Sequence, residues 1–182
     1  MLQLDRLSYR TLQWLVAVFA LLHNLEEGLT MPRYAPVVRQ RLSGVAPAVL
    51  LAATRDLSWF CVALVVATVV PTLVVLVATT GRRGRAAAWA VVFVQSLFFV
   101  NVFVPHIPAA VALGGYAPGV VTAVAVELPY GVYFLRRSVR EGAVSGRGAA
   151  LALGLAAPAL IVGLGTLYVV VGGLAPSGTA PN

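Results

Sequence analysis

Residues 57–80 read LSWFCVALVVATVVPTLVVLVATT. An α-helix needs about 20 mainly apolar residues to cross the hydrocarbon core of a bilayer. This run supplies them without one charged side chain, and it stops at Gly81 ahead of Arg82, Arg83 and Arg85. Pro71 within it is expected to kink the helix. Outward from there, Ala86 to Val104 forms a further apolar run and Gly119 to Leu135 another, stopped by Arg136 and Arg137. Ala149 to Leu174 is the last, with Pro158 inside it. Pro105 to Pro118, carrying Gly114 and Gly115, is expected not to continue as a regular helix. Upstream, Thr11 to Thr30 is apolar apart from Gln13 and a polar knot from His23 to Glu27. Met31 to Asp56 reads as a mixed connection with Pro32, Pro36 and Pro47, and its apolar patch Val45 to Ala53 is too short to cross and is expected at the interface. The expected architecture is all-α: one integral membrane domain over 1–182, a polytopic helical bundle of about five transmembrane helices at 11–30, 57–80, 86–104, 119–135 and 149–174.

Composition points the same way. Hydrophobic residues make up 60% of the chain, charged residues 10%, and the mean hydropathy is +0.91. Soluble domains run near about 45–50% apolar and about 25% charged, so a water-soluble fold of this size would have no place to hide the excess. Thr11 to Thr30 has the basic start and apolar core of a signal peptide, but no small-residue cleavage site follows, and the segment is expected to stay. Cys61 offers neither a disulfide framework nor a thiolate metal site and is expected to be a small packed hydrophobe. The two halves share no repeat.

The formal charge of +7 comes from 13 basic residues, all arginine. They cluster in short runs at the ends of the apolar stretches, the pattern of loop anchoring, and form no face for nucleic acid. Arg6, Arg10, Arg82, Arg83, Arg85, Arg136, Arg137, Arg140 and Arg147 fall on one side, against Arg33, Arg39, Arg41 and Arg55 on the other. The positive-inside rule then puts the protein in the cell membrane with a cytoplasmic amino terminus and an outer carboxyl terminus. Asp56 is expected to cap the second helix, and the small, polar tail after Ala175 to fray.

Ionisable groups inside a membrane cost roughly 2.5–3.5 kcal/mol each and so call for a reason. At about 100° per residue, Glu27 lies about 40° to one side of His23 and Glu26 about 60° to the other, an imidazole flanked by two carboxylates on one arc. Counted from the expected helix ends, His23, Glu127, Asn101 and His106 all fall toward the same outer side, with Tyr116 nearby. Both histidines and three of the six acids thus converge from separate segments. Each has a plainer reading too: Glu26 and Glu27 as boundary residues paired with Arg33, Asn101 as an interhelical link, and Tyr116, Pro118 and Gly119 as a turn and helix start.

The string His23-Asn24-Leu25-Glu26-Glu27 resembles the signature of the HXXEE domain family of membrane proteins. The segments Asn101 to His106 and Tyr116-Ala117-Pro118-Gly119-Val120-Val121-Thr122 resemble that family's later motifs. The likeness runs from about Trp14 to the fifth helix. It implies a helical membrane protein, singles out His23, Glu26 and Glu27, and carries no substrate with it, the family's function being undefined.

Three functions fit these residues. The first is a membrane-embedded enzyme working by acid–base chemistry on a lipid-like or hydrophobic small molecule, with His23, Glu26, Glu27 and Glu127 catalytic and Asn101, His106 and Tyr116 binding. In the second, His23, Glu26, Glu27, His106 and Glu127 hold a metal, zinc or iron by the character of nitrogen and carboxylate donors. The third is a small proton-coupled transporter, which the absence of a repeat disfavours. A non-catalytic membrane partner protein is the remaining alternative.

Overall fold

The computed structural model describes residues 3–44, 51, 54, 57–81 and 84–174. The interfacial patch expected at Val45 to Ala53 (save Leu51), the Asp56 cap, Arg55, Arg82, Arg83 and the tail after Ala175 lie outside them. After a short 3-10 helix, Gln3–Arg6, the elements are α1 (Tyr9–Leu42), α2 (Leu57–Thr80), α3 (Arg85–Asn101), α4 (Ile107–Leu113), α5 (Val120–Thr122), α6 (Leu128–Arg140) and α7 (Gly146–Leu174). Single π-helical turns join α3 to α4 (Val102–His106) and α5 to α6 (Ala123–Glu127). No strand occurs among the described residues.

Among the described residues the protein is a polytopic membrane bundle of five helical rods. Leu57–Thr80, Arg85–Leu113 and Gly146–Thr166 are each long and apolar enough to cross a membrane. The other two rods, α1 and α5 with α6, carry the polar knot, Glu127 and terminal arginines, which lower their hydropathy. Large aliphatic side chains point outward around the bundle, among them Leu25 and Leu29 on α1, Val65 and Val77 on α2, Val111 on α4 and Ile161 and Val162 on α7. Water would punish such a surface with association; hydrocarbon solvates it.

Three expected helix limits are overturned. The first helix does not stop at Thr30 but runs to Leu42, through Pro32 and Pro36. A proline inside a helix removes one ladder hydrogen bond, and membrane helices tolerate this where neighbours re-satisfy the backbone. Here Met31 and Ala35 pack on Phe60 of α2, and Arg41 donates to the Leu113 carbonyl at 2.8 Å, at the end of α4, where Gly114 (φ 72°) closes the helix. Likewise helix resumes after Pro105: only Val104 leaves helical geometry (φ −147°, ψ 101°) before α4 continues to Leu113. The helix after Gly119 also passes Arg136 and Arg137 to end at Arg140. Cys61, expected to be packed, is exposed on the outer face of α2.

The core lies toward the amino-terminal end of α1, where Leu12, Val16 and Ala20 meet Val75 of α2, Val91 and Val92 of α3, Phe134 of α6 and Ala152 of α7. At that end Asp5 accepts from Arg140 (3.1 Å) and Tyr133 (3.2 Å). These bonds hold its carboxyl below the usual range, so the tether persists at neutral pH and fades only as pH falls through that lowered value. Where α3 and α6 cross, a Cβ on Gly131 would sit 2.7 Å from Phe99 Cδ2 and 3.2 Å from Gln95 Nε2. Gly131→Ala is expected to cost about 1–3 kcal/mol through this overpacking, read as a lowered midpoint of thermal unfolding in detergent.

Candidate functional site

The site gathers where α1, the α3–α4 break and the start of α5 meet. His23 is 1% exposed and His106 2%, their rings edge to face with centroids 4.6 Å apart. Asn101 and His106 would point about 140° apart on an unbroken α-helix at about 100° per residue. The extended residue Val104 and the π turn bring them onto one face, and Asn101 Nδ2 lies 2.9 Å from His106 Nε2 and 3.2 Å from His23 Nε2.

Hydrogen-bond logic fixes the protons of the neutral rings. His106 Nδ1 meets the Pro118 carbonyl at 3.0 Å; a carbonyl only accepts, so Nδ1 carries hydrogen and Nε2 a lone pair. His23 Nδ1 meets Thr122 Oγ1 at 2.9 Å. That hydroxyl donates to Glu26 Oε2 at 2.6 Å, so His23 Nδ1 is also the donor and its Nε2 also holds a lone pair. Both lone pairs receive the Asn101 amide hydrogens.

The two glutamates part company. Glu26 Oε1 accepts from the Tyr116 hydroxyl (2.8 Å) and the Val121 amide (3.2 Å), and Oε2 from the Thr122 amide (2.7 Å) and hydroxyl. It closes the amino-terminal end of α5, where free N–H groups favour a negative charge. Glu27 turns the other way, with Oε1 3.6 Å from His106 Nε2. His23, Glu27 and His106 each offer a ligand atom, all within 4.8 Å of one another. Gly119 makes the approach feasible: its φ is 80°, and a Cβ there would lie 2.7 Å from Glu27 Cγ, 2.7 Å from His106 Cε1 and 3.0 Å from His23 Cε1.

Glu27, Asn101 and His106 also line a cavity of about 690 Å³ whose walls are mainly apolar, with Met31, Phe60, Ala63, Phe98, Leu113 and Leu160 among them, and with Asn24, Thr54 and Thr166 as further polar residues. It is large enough for a lipid-sized ligand, and its few polar groups stand in mainly apolar walls, the usual build of a small-molecule site.

The family described as "Protein of unknown function with HXXEE motif" matches residues 14–134, a span that holds His23, Glu26 and Glu27 and every bond of this site. The chain belongs to the HXXEE family. No curated protein and no solved structure matches it. The family match begins at Trp14 and ends at Phe134, before the fifth helix, in line with the resemblance read from the sequence. In this HXXEE protein the motif splits into two tasks: His23 and Glu27 face the cluster, and Glu26 pins the loop that carries Gly119.

Of the residues singled out from sequence, His23, Glu26, Glu27, Asn101, His106 and Tyr116 meet here. Glu127 does not join them. It is 1% exposed, with Oε2 3.3 Å from Gln95 Nε2, five residues or roughly 7 Å along the helix from Thr122, and it forms a second polar layer. Gln95, which interrupts an apolar run, belongs with Glu127 to the second polar layer. Two contributors to the site, Thr122 and the Pro118 carbonyl, were not singled out from sequence. Thr122 links His23 to Glu26. The Pro118 carbonyl leaves no mark in side-chain chemistry. Asn24 donates to Thr68 of α2 at 2.8 Å and fixes the rotation of α1.

Proposed function

We propose that this protein is a membrane-embedded enzyme whose His23–Glu27–His106 cluster acts on a lipid-like or other hydrophobic small molecule held in the adjoining cavity. One observation carries the reading: two imidazole lone pairs and a carboxylate converge, and two of these three groups, His106 and Glu27, line a mainly apolar cavity of about 690 Å³. Packing alone gives no reason to bury such groups, because each costs solvation that only a compensating partner or a ligand restores. Glu27 and His106 are adjacent proton carriers at the edge where the substrate's reacting group would lie, and Asn101 and Tyr116 hold the frame. The bilayer is the source of substrate, reached from the lipid side.

The arginine bias supports a cytoplasmic amino terminus and an outer carboxyl terminus. Asn101 is 16 residues past Arg85, roughly 24 Å along the rod, so in this orientation the cluster belongs to the outer half of a hydrocarbon core about 30 Å thick.

The test is untargeted mass spectrometry of membrane lipid extract incubated with the purified chain. The expected result is at least one product formed by wild type and reduced about 100-fold or more in Glu27→Gln and in Ala63→Phe, which fills the cavity. Identical lipid profiles for wild type and both variants would sink the reading.

A further inference from the structure

We propose that His23, Glu27 and His106 form a binding site for one divalent transition-metal ion, of the zinc or ferrous class. The inference deepens the enzyme reading, since the ion would stand where His106 and Glu27 line the cavity, with open coordination positions toward the substrate.

Four observations support it. First, the donors are right: two neutral imidazole nitrogens and one carboxylate oxygen make a His2Glu set, which suits zinc in hydrolytic sites and ferrous iron in facial-triad sites. Calcium and magnesium ask for more oxygen ligands than one carboxylate supplies.

Second, both rings are already held as a metal site holds them. A ligating histidine donates its other N–H to a carbonyl or carboxylate, which fixes tautomer and orientation. His106 Nδ1 does so to the Pro118 carbonyl at 3.0 Å, and His23 Nδ1 does so to Thr122 Oγ1 at 2.9 Å, which relays to Glu26. Each ring thereby turns its Nε2 lone pair inward.

Third, the distances are near closure. Ligands at about 2.1 Å from a tetrahedral centre lie about 3.4 Å apart; His106 Nε2 and Glu27 Oε1 are 3.6 Å apart, and the whole triad is within 4.8 Å. Fourth, the point both lone pairs address is filled by the Asn101 NH2 group, 3.2 and 2.9 Å from the two Nε2 atoms. Its hydrogens bring partial positive charge to the spot a cation would take. Binding requires that this amide rotate aside and that the three ligand atoms draw together from their present spread of up to 4.8 Å.

The experiment uses the full chain in mild detergent, stripped with chelator, then titrated with Zn2+ alone and, anaerobically, with Fe2+ alone. Bound metal is read by elemental analysis and linked stabilisation by the thermal midpoint. One equivalent of one of the two ions is expected, raising the midpoint; which ion binds more tightly assigns the class. Glu27→Gln and His106→Gln should weaken affinity beyond the about 10–100-fold that loss of a supporting residue costs. Because either variant could misfold, Asn101→Ala is the second arm: freeing the lone pairs should tighten binding several-fold, where a merely structural asparagine would leave it unchanged. Less than a tenth of an equivalent of either ion, or unchanged affinity in all three variants, overturns the metal site. If that occurs while metal-free wild type still makes a product that Glu27→Gln does not, the enzyme reading stands as acid–base chemistry. Metal bound without any product overturns the enzyme reading and leaves the metal site.

Discussion

Gly119→Ala should abolish the site and cost roughly 2–5 kcal/mol of stability. Two independent penalties add. Gly119 has φ 80°, a left-handed conformation that costs an L side chain roughly 1–2 kcal/mol. Its added methyl would also meet Glu27 Cγ and His106 Cε1 at 2.7 Å and His23 Cε1 at 3.0 Å, and overpacking of this kind costs about 1–3 kcal/mol. The three groups have little room to retreat. His106 is tied to Pro118, one residue before Gly119, and His23 to Thr122, three residues after it. The loop can accommodate a methyl only by withdrawing from α1, which breaks those bonds. Thermal unfolding in detergent and the product assay check this together. A variant with wild-type midpoint and product would refute the described approach of Gly119 to the cluster.

Adjacent glutamates should fail in different ways. Glu26→Ala leaves the Tyr116 hydroxyl, the Val121 and Thr122 amides and the Thr122 hydroxyl without their acceptor. Hydrogen bonds to a charged group contribute about 1.5–3 kcal/mol each, and these share one carboxylate and will not sum fully. A loss of about 3–5 kcal/mol is expected, and Glu26→Gln should recover little of it, because one amide oxygen cannot accept from donors aimed at both carboxylate oxygens. Glu27→Gln should leave the metal-free midpoint within about 1 kcal/mol of wild type, as no hydrogen bond closes on that carboxylate among the described residues, while product falls about 100-fold or more. Paired thermal melts and product assays test the contrast. Equal midpoints for Glu26→Ala and Glu27→Gln would remove the division of labour.

Much of this was readable in advance, and the gaps have physical causes. The limits of α2 coincide with the apolar run 57–80 because Gly81 and arginines end it abruptly and nothing polar blurs it. Limits set by proline failed: Pro32, Pro36 and Pro105 carry a local cost that packing and the Arg41 bond offset, and such compensation is invisible in one dimension. The arc containing His23, Glu26 and Glu27 follows from 100° per residue. The assignment of one glutamate to structure and the other to the cluster does not, since it depends on where the Val121 and Thr122 amides point. Grouping Glu127 with His23 assumed that both lie at one depth; depth depends on where the loop before α5 places its first turn.

α1 is a single rod about 51 Å long at 1.5 Å per residue, longer than the about 30 Å thickness of a bilayer's hydrocarbon core. Its far arm, anchored to α4 through Arg41, flanks the cavity with Met31, Val38 and Leu42, while Glu26 and Glu27 lie on the same rod nearer its middle. The missing amide hydrogens of Pro32 and Pro36 soften it between these two portions. Any bending of α1 would therefore concentrate beyond the carboxylates, and would reshape the mouth of the chamber while the chemistry below keeps its register.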